Sequence, residues 1–216
     1  ALRRPVYLRF AHEADNPAYP WSATGHNTPE EFKAAWQYVY NYFLRNGVSN
    51  VIWVWNPWSA EAVASYFPGK SYVDWIGITG LNYGPQRADS QWRAFSTLYA
   101  PFRKQPALRS GIPVMIAEMG SLAMAGRQEQ WLEDALRDIN GYKEIHAFVL
   151  FNSDQDQNIL RPVANNVLDW KVQSPRALFD AQQKYTRIRN GGSTAPPPYP
   201  AVLTTAARHT PALPLA

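Results

Sequence analysis

A chain of 216 residues that is 46% hydrophobic and 18% charged can bury a sizeable core, which excludes a disordered polypeptide. Its net charge of +4 comes from Lys and Arg scattered along the sequence rather than gathered in a stripe, so nucleic acid is not an expected partner. Cysteine is absent, which excludes disulfides and thiolate metal sites, and no run of about 18 apolar residues is present that could span a membrane.

The chain opens almost at once into PVYLRFA (5–11), an apolar strand pattern, as expected of a segment continuing from something longer. Thr28-Pro29-Glu30-Glu31 then supplies an N-cap, a proline in the first turn and acidic residues at a helix start, ahead of FKAAWQYVYNYFLRN, with Gly47 as its close. NVIWVWNP (50–57) reads as the second strand. A short helix SAEAVASYF follows, stopping before Pro68-Gly69. DWIGITGLN (74–82) is the third strand and SQWRAFSTLYAPFRK (90–104) the third helix. IPVMIAEMG (112–120) is the fourth strand, RQEQWLEDALRDING (127–141) an amphipathic helix and IHAFVLFNS (145–153) the fifth strand, with a last helix over about 175–188.

Alternating strands and helices predict a parallel sheet covered by helices, in the α/β class. Five such units are too few to close an eight-stranded TIM barrel, which leaves a partial barrel or an open sheet. Residues 1–190 form one domain in this reading. From Gly191 the Pro-, Ala- and Thr-rich stretch to residue 216 has no periodicity and reads as a disordered tail.

Polar and aromatic residues recur at the carboxyl ends of the strands: Arg9, His12 and Glu13; Asn56 and Trp58; Asn82 and Tyr83; Glu118; Asn152 and Asp154. Ligands bind at that edge in parallel α/β folds, so the five ends predict one site. The surplus of aromatics, with nine Trp, suggests that some line a cleft there. A carboxylate in an apolar strand such as MIAEMG is costly unless it is paired or functional. Two carboxylates facing each other are the minimum machinery for cleaving a glycosidic bond. The pattern alone leaves the alternatives open: Glu118 as a buried carboxylate bonded to Arg9 or an amide, Glu13 as a solvated loop residue, and Trp21, Trp58 and Trp92 as stacking walls or ordinary packing.

RFAHEADNPAYPW (9–21) resembles the acid/base segment of glycoside hydrolase family 26, in which an Arg, two residues and His-Glu precede a Tyr-Pro-Trp. YFPGKSYVDWIGITGLNYG (66–84), PVMIAEMGS (113–121), FVLFNSD and LDWKV are similar, in order, to later segments of that family. The resemblance implies a TIM (β/α)8 barrel of which this chain supplies about strands four to eight. It also implies a retaining, endo-acting enzyme on β-1,4-linked polysaccharide, either mannan or β-glucan. Glu13 becomes the general acid/base and Glu118 the nucleophile, with Arg9, His12, Trp21, Trp58, Asn82, Tyr83, Trp92 and Phe151 around the substrate. Tyr83 and Arg9 are expected to hold the nucleophile's charge. No cofactor is implied, and His26, His146 and His209 show no metal spacing. The family also implies a secreted or periplasmic setting.

Two departures stand out. Met-Asn-Gly and an aromatic commonly follow the catalytic Glu in that family, whereas Ala14, Asp15, Asn16, Pro17 and Ala18 follow here, so a sugar-stacking contact is expected to be lost. Phe151 stands where the family often has a Trp floor. The altered residues after Glu13, together with the missing barrel half, motivate the competing expectation of a non-catalytic glycan-binding or polysaccharide-assembly module.

Overall fold

The computed structural model describes residues 4–157 and 167–172, with Asp180 and Gln183 besides. Five strands, β1 (Val6–Leu8), β2 (Val51–Trp55), β3 (Trp75–Asn82), β4 (Val114–Ser121) and β5 (Ile145–Leu150), form one sheet in the order β1-β2-β3-β4-β5, every pair parallel. Each strand lies beside its successor. A doubly wound sheet would reverse direction partway, so this monotone order is that of a barrel arc, and the chain forms a half-barrel. The connecting helices are α1 (Pro29–Arg45), α2 (Val63–Tyr66), α3 (Phe95–Arg103) and α4 (Gln128–Gly141). The last helix expected near 175–188 and the tail from 191 lie outside the described residues.

Alternate strand residues face the helices. Trp53 and Trp55 of β2, Ile76 and Ile78 of β3, and Val114, Ile116 and Met119 of β4 pack with Trp36, Phe95, Tyr99, Trp131 and Leu136 in the main core. Each buried ring removes roughly 150–250 Å² from water, worth several kcal/mol before ordering entropy is subtracted. Six of the nine Trp are used in this way or in the smaller clusters; only Trp21, Trp58 and Trp92 are exposed. The aromatic surplus is therefore mostly core, and the part left for a cleft is those three.

Several elements are shorter than their sequence patterns, for local reasons. The helix pattern from residue 59 condenses into α2 only at Val63, because the Asp15 carboxylate takes the Ser59 N–H and hydroxyl, each at 2.8 Å, and holds that segment as a turn. Likewise α3 starts at Phe95 rather than residue 90: Ser90 is left-handed (φ 54°) and the Arg93 N–H bonds Asn82 Oδ1 at 3.1 Å. Its Pro101 lies in the interior of the helix.

β4 carries the irregularity that matters most. Ile116 pairs with Ile78, but the next pair is Glu118 with Thr79, so β4 has one extra residue at this point. Such a bulge re-aims the side chains beside it. Ile116 and Met119 both reach the helix-side core, leaving Ala117 and Glu118 together on the concave face. Strict alternation from Ile116 would have turned Glu118 into the helices.

Candidate active site

The loop after β1 leaves ordinary backbone space twice, with Ala11 at φ 40° and Glu13 at φ 53°. A left-handed L-residue costs roughly 1–2 kcal/mol, so the conformation must be held from outside. Asn56, just past β2, holds it: its carbonyl accepts the Glu13 N–H at 2.7 Å, and its Oδ1 accepts Arg9 Nη1 at 2.8 Å. The room for Asn56 comes from Gly77 on β3, where a Cβ would stand 3.1 Å from Asn56 Cβ and 3.2 Å from Ala117 Cβ.

Arg9 joins the two halves of the site. Its Nη2 donates to Glu118 Oε1 at 2.7 Å, a charge-assisted bond between partly buried groups, while Nη1 is fixed on Asn56. Glu13 sits in a different environment. It is 5% exposed, and both of its oxygens are bonded: Thr79 Oγ1 donates to Oε1, and Asn16 Nδ2 donates to Oε2 at 2.8 Å. Burial pushes the Glu13 carboxyl above its ordinary range; the Thr79 and Asn16 donors oppose that rise, the charge on Glu118 adds to it and Arg9 subtracts. The two carboxylates thus belong to one electrostatic cluster, one ion-paired and one buried among neutral donors.

His12 Nε2 lies 3.1 Å from the Tyr19 hydroxyl, and the two rings meet edge to face. Burial, with Arg9 nearby, lowers the His12 pKa against a smaller opposing pull from Glu118, which favours the neutral ring. Tyr19 stacks on Trp21, centroids 4.5 Å apart and planes 8° apart, and Trp21 Nε1 donates to the His12 carbonyl at 3.0 Å. His12, Tyr19 and Trp21 form a wall beside Glu13, with the indole face of Trp21 partly open to solvent.

The other expected residues fall into three positions. Trp58 is 47% exposed, and its backbone N–H is fixed by Asp15 Oδ1 at 2.7 Å, so it projects from a tethered loop. Trp92 is also exposed, with the Arg127 guanidinium 5.3 Å over its ring. Asn82 is buried; it donates to Ser121 Oγ at 3.0 Å and accepts from the Arg93 N–H, so its amide braces the loops after β3 and β4. Tyr83 was expected to hydrogen-bond the nucleophile. No such bond joins it to Glu118; its ring meets Trp170 edge to face at 4.9 Å, and burial together with Asp156, Glu13 and Glu118 pushes its phenol well above the ordinary range. Phe151 packs edge-on against the same Trp170, which is fully buried and donates to Asp156 Oδ2 at 2.8 Å.

Sequence reasoning missed Thr79, Asn16 and Asp15 as working residues. Thr79 had a signal: a lone hydroxyl inside the apolar run IGITGL. Asn16 and Asp15 stood in the segment noted only for departing from a family pattern. They supply a clamp on Glu13 and a tether for the Trp58 loop.

Among the described residues no group of three or more His, Asp or Glu could hold a metal ion, and no helix is long and apolar enough to cross a membrane. A cavity of about 820 Å³ lies at the opposite ends of the strands, between Arg103, Arg109 and Glu144, and shares no residue with the carboxylate cluster.

Comparison with known proteins agrees with this architecture. The family model described as glycosyl hydrolase family 26 matches residues 2–143. Endoglucanase H of Acetivibrio thermocellus is 31% identical over 209 residues, covering 91% of this chain and 21% of that protein. A β-1,3-xylanase from an Alcaligenes species is 36% identical over 97 residues, 42% of this chain and 19% of its own length. Among solved structures, a modular endo-β-1,4-mannanase from Cellulomonas fimi superposes with a TM-score of 0.58 at 19% identity, over 84% of this chain and 40% of that one, a likeness of fold. The chain spans about a fifth of the length of the curated relatives it matches.

Proposed function

Because the chain belongs to glycosyl hydrolase family 26, we propose that it supplies the catalytic pair of a retaining, endo-acting β-glycanase, with Glu13 as general acid/base and Glu118 as nucleophile. The observation that carries this reading is the contrast between two carboxylates in one cluster: Glu118 ion-paired to Arg9, Glu13 buried and held toward its neutral form. Environments that push two carboxyl groups apart in protonation are how one site provides both an acid and a base at neutral pH.

In this reading Glu13 gives its proton to the departing glycosidic oxygen while Glu118 attacks the anomeric carbon, forming a covalent glycosyl-enzyme. The carboxylate left on Glu13 then takes a proton from water, whose oxygen displaces Glu118 and restores the original configuration. Direct attack requires the carboxyl groups about 5–5.5 Å apart across the sugar. Arg9 orients Glu118 for attack through their ion pair. Neutral His12 and the partly exposed face of Trp21 flank the acid, where a pyranose ring could stack and hydrogen-bond.

The substrate proposed is a β-1,4-linked polysaccharide, mannan or β-glucan. Relatives named for endoglucanase, mannanase and xylanase activities favour a β-linked backbone without choosing among its sugars. Polymers of that kind are met outside the cytoplasm, so an exported setting is proposed with it. Replacing Glu118 by Ala should remove release of reducing ends from mannan and glucan; undiminished release would end the proposal. Replacing Glu13 by Gln should slow natural substrates strongly but spare the first displacement of aryl glycosides whose leaving group needs no proton, seen as a burst of phenolate followed by slow turnover. Oligosaccharide binding without any release by the unaltered protein would favour the non-catalytic glycan-binding module instead.

A further inference from the structure

The segment after Glu13, Ala14 to Ala18, departs from its family's pattern, and one of its residues touches the carboxyl group directly. Asn16 Nδ2 donates to Glu13 Oε2 at 2.8 Å. The amide cannot turn over without loss, because its other end is engaged: Asn16 Oδ1 accepts the Ala18 N–H at 3.0 Å. Asn16 therefore faces Oε2 as a donor only, and a donor tolerates an unprotonated oxygen. On the other side Thr79 Oγ1 meets Oε1. A hydroxyl rotates and can donate or accept, so Thr79 accommodates either protonation state.

Resting on the reading of Glu13 as the acid, we infer that Asn16 is a positioning residue that reserves Oε2 as an acceptor and leaves Oε1 to carry the exchangeable proton. The consequence is that one oxygen of Glu13, not either, gives its proton to the glycosidic oxygen and takes it back from water. Arranging a proton on a chosen atom aligns it for transfer without a search among tautomers. The backbone favours the same outcome. Glu13 is held at a left-handed φ by the Asn56 carbonyl, and the Asn16 N–H closes the turn on the Glu13 carbonyl at 2.8 Å, which fixes the carboxyl group relative to its clamp. The charged and titratable groups that also bear on Glu13 are Glu118 and Arg9, with Tyr19 and Tyr83 coupled to it; none of these bonds Oε2.

The placement can be measured without turnover. In protein carrying ¹³C at the glutamate carboxyls, with the Glu13 signal identified by its loss in Glu13→Gln, Asn16→Ala should raise the Glu13 midpoint by about one pH unit, the effect of losing one hydrogen bond to a charged acceptor. Asn16→Asp, which keeps the side chain's shape, should raise it further by adding a carboxylate. Thr79→Ser should leave the midpoint where it is and Thr79→Val should raise it. An Asn16→Asp midpoint equal to that of the unaltered protein would overturn the inference. Neutron diffraction below the midpoint should find deuterium on Oε1; deuterium on Oε2 would overturn the inference even if the variants failed to fold. In hydrolysis assays the alkaline limb of kcat/KM should move upward with the Glu13 midpoint in Asn16→Ala. A moved midpoint beside an unmoved limb would instead remove Glu13 from the acid role, and with it Asn16's bearing on the reaction.

Discussion

Glu13 is the residue whose environment does most to define the molecule. Its carboxyl is buried, so its folded-state pKa lies above its ordinary value. A carboxyl raised in this way contributes stability that is present below the unfolded-state pKa, about 4.3, and is lost as pH rises through the folded value. Gln presents the shape of the neutral acid without the ionisation, since its oxygen can face Asn16 and its amide can face Thr79. Glu13→Gln should therefore become steadily more stable relative to the unaltered protein as pH rises from about 4.3 through the raised folded value, read as a widening gap between thermal midpoints; a gap that stays constant with pH would contradict the account. Little of this environment was legible beforehand. His12-Glu13 and Tyr19-Pro20-Trp21 could be picked out as a pattern, but Thr79 is 66 residues away from Glu13 in sequence, and nothing local announces that the two meet.

At the scale of elements, legibility depends on whether the determining forces are local. The start of α1 was readable because its capping box is self-contained: Thr28 accepts the Glu31 N–H at 3.2 Å and Glu31 accepts the Thr28 N–H at 2.8 Å. The starts of α2 and α3 were not, because Asp15 and Asn82 reach in from other segments and take the groups that a helix would need. The β4 bulge was equally hidden, since period-2 alternation in VMIAEMGS gives no sign of an extra residue. Its role can be tested directly. Deleting Ala117 makes Glu118 the direct successor of Ile116, so regular alternation should keep Glu118 opposite Thr79 on the concave face, and hydrolysis should persist. A folded deletion variant that had lost hydrolysis would contradict the assignment of Ala117 as the extra residue of the bulge.

For the molecule as a whole, the monotone order of five parallel strands gathers all the strand ends on one rim, and each end contributes differently. β1 brings Arg9 and Glu13, β2 brings Asn56, β3 brings Thr79 and β4 brings Glu118, while residues past β5 with the segment around Trp170 pack behind Tyr83. The α/β class, the strand count and the shared rim followed from the alternation of patterns in the sequence; the choice between open sheet and barrel arc required the strand order. The central claim is that this rim performs a double displacement through Glu118. A 2-deoxy-2-fluoro-β-glycoside with a dinitrophenolate leaving group should stall the reaction after the first displacement, because the fluorine disfavours the second transition state while the leaving group permits the first. Mass spectrometry after proteolysis should then find one sugar on the peptide containing Glu118, and none when Glu118 is Ala. A sugar attached at Glu13 or elsewhere, or turnover of the natural polymer with inversion at the anomeric carbon, would contradict it.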